Sequence, residues 1–336
     1  MPAHDPTLNP SITMSTQVPE GHSVLPPADA AALYDAFITT VRERASRPEL
    51  LIEAALPPGE DLATLDILKS WLDSFRPLPP TVVAELQQLY TVRLTYHSNA
   101  LEGNTLSQHE TEMVLSHGVT IGGKTVIEHL EVIGHRDAMR HMEELATHHM
   151  PVGEWEIKNL HSLILLPVDG ASGTNEAGRY RTLDVRAAGT EHVYPPHYEV
   201  PELMAEFAAW IASDEAQALH PVELATQVHY RLVSIHPFRD GNGRTGRLLM
   251  NLFLLRAGYP IAVITNARRA AYLDALVYGQ SHQDDTHRLT DLVAGACRES
   301  LLETLALLST AGDSRGQGAP FYRALLAALP AEPEGS

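Results

Sequence analysis

The chain has 336 residues, 44% of them hydrophobic, which allows one large domain or two ordinary ones around a substantial core. Its formal charge of −18, from 24 Lys and Arg against 42 Asp and Glu, argues against general nucleic-acid or anionic-membrane binding, and no run of about eighteen apolar residues is present to span a bilayer. The single cysteine, Cys297, excludes an intrachain disulfide framework and fits a reducing compartment; its setting, LVAGACRESLLE, reads as a helix interior with the thiol in the core.

Residues 1–27 are polar and proline-rich, with neither a basic nor an apolar leader region, and are expected to be disordered. Apolar residues then recur at i, i+3 and i+4 over 28–47, 64–75, 80–103 and 125–149, with no proline beyond a first position, which predicts four helices. Ser107 and Glu110 form a capping-box pattern, predicting a short helix through His117 that Gly118 ends. Further helices are predicted over 154–166, 200–213, 221–235, 243–258, 270–279 and 286–309. The exception is GRYRTLDVRAAGTEHVYPPHYEV, 178–200, where alternation around the turn-like AAGTE predicts a β-hairpin with a polyproline-like exit. There are no internal repeats, and the chain reads as all-α with one β-hairpin.

Charge is uneven along the chain. From Arg231 to Arg269 there are seven arginines and one acid, Asp240, a positive island centred on HPFRDGNGRTGRLL, His236–Leu249. Its glycines fall in the spacing G-x-G-x-x-G, but the preceding segment, 221–235, has helical spacing and no acid follows from 241 to 273 to hold a ribose, so a dinucleotide loop fails on context. A Walker A loop lacks its lysine, and an EF-hand loop begun at Asp240 would need an oxygen ligand where Arg244 stands. What remains is a turn between two helices, with backbone N–H groups and a helix N-terminus aimed at one concavity suited to phosphate. Arg244 and Arg247, three apart, share a helix face and can fork onto successive phosphates, with Gly246 keeping that face low for a ligand. Asp240 has the sign a Mg²⁺ ligand needs, and His236 is the side chain whose ordinary pKa suits a general base near neutrality. LLMNLFLL just beyond is apolar almost all round, so this helix is central; Phe238 and its leucines belong to the core and Asn251 to a hydrogen bond there.

HPFRDGNGRTGR resembles, at every fixed position, the active-site motif H-x-F-x-[DE]-G-N-G-R-x-x-R of the Fic (filamentation induced by cAMP) family. The resemblance extends over roughly 90–300, with 178–200 similar to the family's target-docking flap. It implies an all-α Fic fold with a β-hairpin flap, and transfer of AMP from Mg-ATP to a hydroxyl of a protein. On that resemblance His236 is the catalytic base, Asp240 the Mg²⁺ ligand, and Gly241, Asn242 and Gly243 the anion hole, while Arg244 binds the inner phosphates and Arg247 the γ-phosphate. Tyr272 and Leu276 match a Y-x-x-x-L spacing found beside the nucleotide, and Tyr272 is carried as a nucleotide contact. HSNALEGN, His97–Asn104, resembles the family's inhibitory motif [ST]-x-x-x-E-[GN] through Ser98 and Glu102, implying an autoinhibited protein adenylyltransferase with an N-terminal inhibitory helix.

The implied organisation is a disordered segment 1–27, an N-terminal helical region 28–90, an inhibitory helix region 91–118, a catalytic core 119–309 and a short C-terminal tail 310–336 rich in Gly, Ala and Pro. The expected partners are ATP and a protein target with a Ser, Thr or Tyr hydroxyl, with no nucleic acid and no membrane; a homodimer is compatible, and the expected location is the cytoplasm. The motif leaves open a de-AMPylase, another nucleotide or phosphate transferase of the family, or a nucleotide-sensing binding module.

Overall fold

The computed structural model describes residues 26–57, 59, 61–186 and 192–329; nearly all of the expected disordered segment 1–27, and the AAGTE turn at 187–191, lie outside the described residues. In chain order the helices are α1 (Pro27–Arg44), α2 (Pro48–Ala55), α3 (Leu62–Asp73), α4 (Pro80–Leu101), α5 (Gln108–His117), α6 (Val126–Thr147) and α7 (Glu154–Ser172). They continue as α8 (Val200–Ile211), α9 (Asp214–Gln217), α10 (Pro221–Ile235), α11 (Asn242–Arg256), α12 (Arg269–Ser281), α13 (His287–Thr310) and α14 (Ala319–Ala327). No strand occurs among the described residues, so the fold is all-α. No described helix is long and apolar enough to cross a membrane.

Local chemistry sets the helix starts. Ser107 caps α5 and Thr125 caps α6, each with a glutamate three residues on closing a capping box, and the Asp61 carboxylate accepts from Thr64 N–H at 3.0 Å to begin α3. Prolines at the first turns of α1, α2, α4, α8, α10 and α14 occupy positions where a missing N–H costs nothing. α11 is buried along nearly its whole length and packs against α4, α6, α7 and α10. Phe238, Leu248, Leu249, Leu252 and Leu254 lie in the core as expected, as does Cys297. Asn251 bonds the Arg247 and Ala262 carbonyls at 3.0 and 3.1 Å and accepts from Ala262 N–H at 2.8 Å.

Three expectations require correction. The flap is not a hairpin in its described parts: its arms are irregular and tied by side chains. Arg181 donates to the carbonyls of Leu183, Pro195 and His236, the Asp184 carboxylate accepts from His197 N–H at 2.8 Å, and Pro195 and Pro196 have no N–H to give a ladder. α7 runs through Pro167 to Ser172 instead of stopping at 166. There α6 crosses so closely that a Cβ on Gly134 would lie 2.9 Å from the Leu163 carbonyl, the one whose intrahelical donor Pro167 removes. Three helices are additional, the four-residue α9 among them. α2 follows α1 directly, and α14 turns part of the expected 310–336 tail into packed structure, with Phe321, Tyr322 and Leu325 fully buried.

Candidate active site

The site is the turn from α10 into α11. His236 caps α10 in the left-handed region, φ 52°, its N–H bonded to the Leu232 carbonyl at 2.9 Å. Its Nδ1 lies 3.2 Å from the Val233 carbonyl, which can only accept, so Nδ1 carries the proton and Nε2 is the nitrogen able to take one. The ring stacks on Tyr194 at 4.1 Å, and burial pushes its pKa below the ordinary histidine value, with the Val233 carbonyl acting against the shift.

Three contacts fix the turn. Asn242 clamps Phe238 at both ends, its Oδ1 accepting from Phe238 N–H and its Nδ2 donating to the Phe238 carbonyl, each at 2.9 Å. His161 of α7 stacks on Phe238 at 3.6 Å, accepts from Gly178 N–H through Nδ1 at 2.9 Å, and donates from Nε2 to the Asp240 carbonyl at 2.9 Å. Burial drives its pKa to about 4, so the ring is neutral and this tautomer persists near neutral pH. Gly241 takes φ 77° beneath that ring, where a Cβ would stand 3.2 Å from it. The first bond of α11 is Thr245 N–H to the Gly241 carbonyl, so the amides of Asn242, Gly243 and Arg244 precede the helical ladder and form the positive end of the helix.

Arg244 and Arg247 are the largest fully buried side chains described. Arg244 donates to Glu131 of α6 at 3.2 Å and to Asp240 at 3.1 Å; Glu131 in turn accepts from Asn104 at 2.8 Å. The Asp240 carboxylate is exposed and also accepts from Gly241 N–H at 2.6 Å. Arg247 donates from Nε to Ser98 Oγ at 2.9 Å, and from Nη2 to the Ser98 carbonyl and Glu102 Oε1, both at 2.8 Å. Burial lowers its pKa and the Glu102 carboxylate more than offsets this, holding the guanidinium above its ordinary value. Glu102 ends α4, and its Oε1 packs on Gly243 so closely that a Cβ there would displace it.

The sequence-derived residues therefore converge: His236, Asp240, Gly241, Asn242, Gly243, Arg244 and Arg247 line one turn, and Ser98 and Glu102 reach it from α4. Two details differ. Gly246 does not face an opening; a Cβ there would lie 2.6 Å from Nδ1 of His229, so it permits the close approach of α10 and α11. Tyr272 is buried, its hydroxyl 2.9 Å from His229 Nε2 and 3.4 Å from Arg247 Nη1, and it positions the arginine instead of opening to a ligand. Sequence reading missed His161, Glu131 and Arg181, single residues whose partners are distant in sequence.

A helical bundle whose buried central helix begins at a glycine turn, with a histidine nitrogen able to accept and two buried arginines, has the chemistry of an anion site suited to phosphate. The Fic/DOC family model matches residues 151–254. The protein adenylyltransferase Fic of Drosophila grimshawi is 40% identical over 177 residues, 53% of this chain and 35% of that protein; the one of Nematostella vectensis is 36% identical over 216 residues, 64% of this chain and 48% of that protein. A solved Fic-1 fragment from C. elegans is 32% identical with a TM-score of 0.65, covering 73% of this chain and 72% of that one. The chain belongs to the Fic/DOC family. It spans between about a third and a half of the length of these curated relatives.

Proposed function

We propose that the protein is an autoinhibited protein adenylyltransferase, moving AMP from ATP to a Ser, Thr or Tyr hydroxyl of a target protein in the cytoplasm. The observation that carries this reading is His236: an imidazole whose Nδ1 is committed to the Val233 carbonyl, in the turn that leads into the N-terminus of α11. Nε2 takes the hydroxyl proton, the hydroxyl oxygen bonds to the α-phosphorus, and pyrophosphate leaves. Arg244 neutralises the inner phosphates and Arg247 the γ-phosphate, while the amides of Asn242 and Gly243 hold the charge that grows in transfer. The family's curated members of this kind bear the same activity in their names.

Mg²⁺ fits the residues present. Asp240 offers one exposed carboxylate, and such an ion takes one or two carboxylates and completes its shell with phosphate oxygens and water. Asp240 is the residue that would hold it, and the ion would neutralise phosphate charge.

Inhibition follows from the Glu102–Arg247 contact. The carboxylate takes the guanidinium edge meant for the γ-phosphate and covers Gly243, so ATP meets the site only in a displaced pose. The half-exposed position of that carboxylate favours a second reading, in which Glu102 orients water to remove AMP from a modified target. Incubation with target protein, either unmodified with ATP labelled at the α-phosphate or pre-labelled with AMP, tests both: gain of label supports transfer, release of AMP supports removal, and neither would refute the enzyme reading.

A further inference from the structure

A cavity of about 460 Å³ lies between α8 and α10, within the roughly 300–1,000 Å³ range of built ligand sites. Leu203, Phe207 and Trp210 line it from one face of α8, and Arg231, Ser234 and Ile235 from the last turns of α10. The Arg231 guanidinium lies flat on the Trp210 ring at 3.9 Å. Two polar atoms on this wall, Trp210 Nε1 and Arg231 Nε, are shielded from solvent and have no hydrogen-bond partner among the described residues, while the Ser234 hydroxyl is engaged with Tyr230. Both nitrogens can only donate, so the wall calls for an acceptor.

That acceptor is uncharged. The charged groups lining the cavity are one guanidinium and two carboxylates, Glu206 and Asp284, and Asp284 already accepts from Tyr230 at 2.7 Å. A net negative lining disfavours an anion and leaves a carbonyl as the matching group, while Leu203, Phe207 and Ile235 supply an apolar wall beside it. Main-chain carbonyl next to an apolar side chain is the chemistry of a polypeptide. The cavity's place says which polypeptide: Ile235 directly precedes His236, and Pro195 on the cavity wall directly follows Tyr194, which stacks on His236. Along the same arm Val193 is 79% exposed, an apolar step leading from the histidine to the cavity.

We infer that this cavity is a subsite for the target, taking an apolar side chain that flanks the modified hydroxyl while the two donors hold the adjoining carbonyl. The assignment rests on the target-modifying activity proposed above and adds a sequence preference to it. The cavity is tested first without catalysis. In ¹⁵N-labelled protein the Trp210 indole N–H, one of three and identified by its loss in Trp210→Phe, is titrated with N-acetyl, N-methylamide derivatives of leucine, glutamate and lysine. The leucine amide is expected to shift the resonance saturably and the charged amides about tenfold more weakly; no shift, or equal shifts, overturns the assignment.

The second arm gives Glu102→Gly protein α-labelled ATP and peptides centred on a hydroxyl residue, varied one flanking position at a time. One position is expected to favour apolar over acidic residues by about tenfold, and Leu203→Trp, which fills the cavity, to flatten that preference. A preference absent in the parent or intact in Leu203→Trp overturns the target role. Should no peptide be labelled while the indole still binds the leucine amide, the activity itself fails and carries the target role down with it, an outcome the titration separates from failure of the cavity.

Discussion

His236 owes its proposed role to one hydrogen bond and to burial, and both have measurable consequences. Burial favours the uncharged ring, so the pKa sits below the ordinary histidine value of 6.5 and the base form predominates at neutral pH. The transfer rate is therefore expected to rise with pH on the acid side and to be flat from neutral pH upward; a limb centred above 6.5 would contradict this assignment. His236→Ala is expected to lose about 100-fold or more in transfer while binding ATP nearly as before, because the base acts on the hydroxyl and not on the nucleotide. The residues of this turn were legible because they are contiguous and their types fit one chemistry. His161 was not, because a lone histidine in a helix with an apolar stripe has no local sign that it will hold both the Asp240 carbonyl and Gly178 N–H. His161→Phe keeps the stack on Phe238 and removes both bonds; transfer is expected to fall while the circular dichroism of the fold is unchanged, and unaltered transfer would mean that Asn242 alone holds the turn.

Helix pairs show why some elements could be read and others not. α10 and α11 approach through Gly246 against His229, so the glycine that completes G-x-G-x-x-G serves helix packing. Gly246→Ala is expected to lower stability by about 1–3 kcal/mol, read as a fall in melting temperature, because the methyl has nowhere to go; an unchanged melting temperature would return the glycine to ligand access. One capping box located α5, and apolar spacing located α6, α10 and α11, within a residue or two, since those signals are local. α2 and α14 are eight and nine residues long, too short for periodicity to stand out, and both draw their stability from packing. The flap arms alternate like strands, yet Arg181 takes the carbonyls that a ladder would have used, and that depends on contacts 55 residues away. α7 passes Pro167 for a similar reason: the crossing with α6 outweighs the breaker.

On the scale of the molecule, α4 and the turn after it tie α6, α11 and α12 together at the candidate site. Ser98 and Glu102 hold Arg247, Asn104 holds Glu131 and through it Arg244, and Arg269 of α12 donates to the Leu101 carbonyl at 3.1 Å. α14 closes the opposite end, Phe321 packing on Phe75 at 5.3 Å and Trp71 at 5.7 Å. Phe321→Ala is expected to cost about 3–5 kcal/mol in denaturant unfolding, with the residual folded protein still binding nucleotide; a cost near zero would make α14 an accessory. The central claim is that this is a nucleotidyl transferase held silent by Glu102, and one measurement bears on it most directly. Wild-type, Glu102→Gly and Glu102→Gly/Arg247→Ala proteins are given ATP labelled at either the α- or the γ-phosphate, and label covalently bound to protein is counted. Freeing Arg247 removes a competitor of about 1.4 kcal/mol or more, so α-label in Glu102→Gly is expected to exceed wild type by about tenfold or more, and the double variant to lose the gain. Incorporation of γ-label would contradict nucleotidyl transfer, and α-label in Glu102→Gly no greater than in wild type would contradict the inhibition.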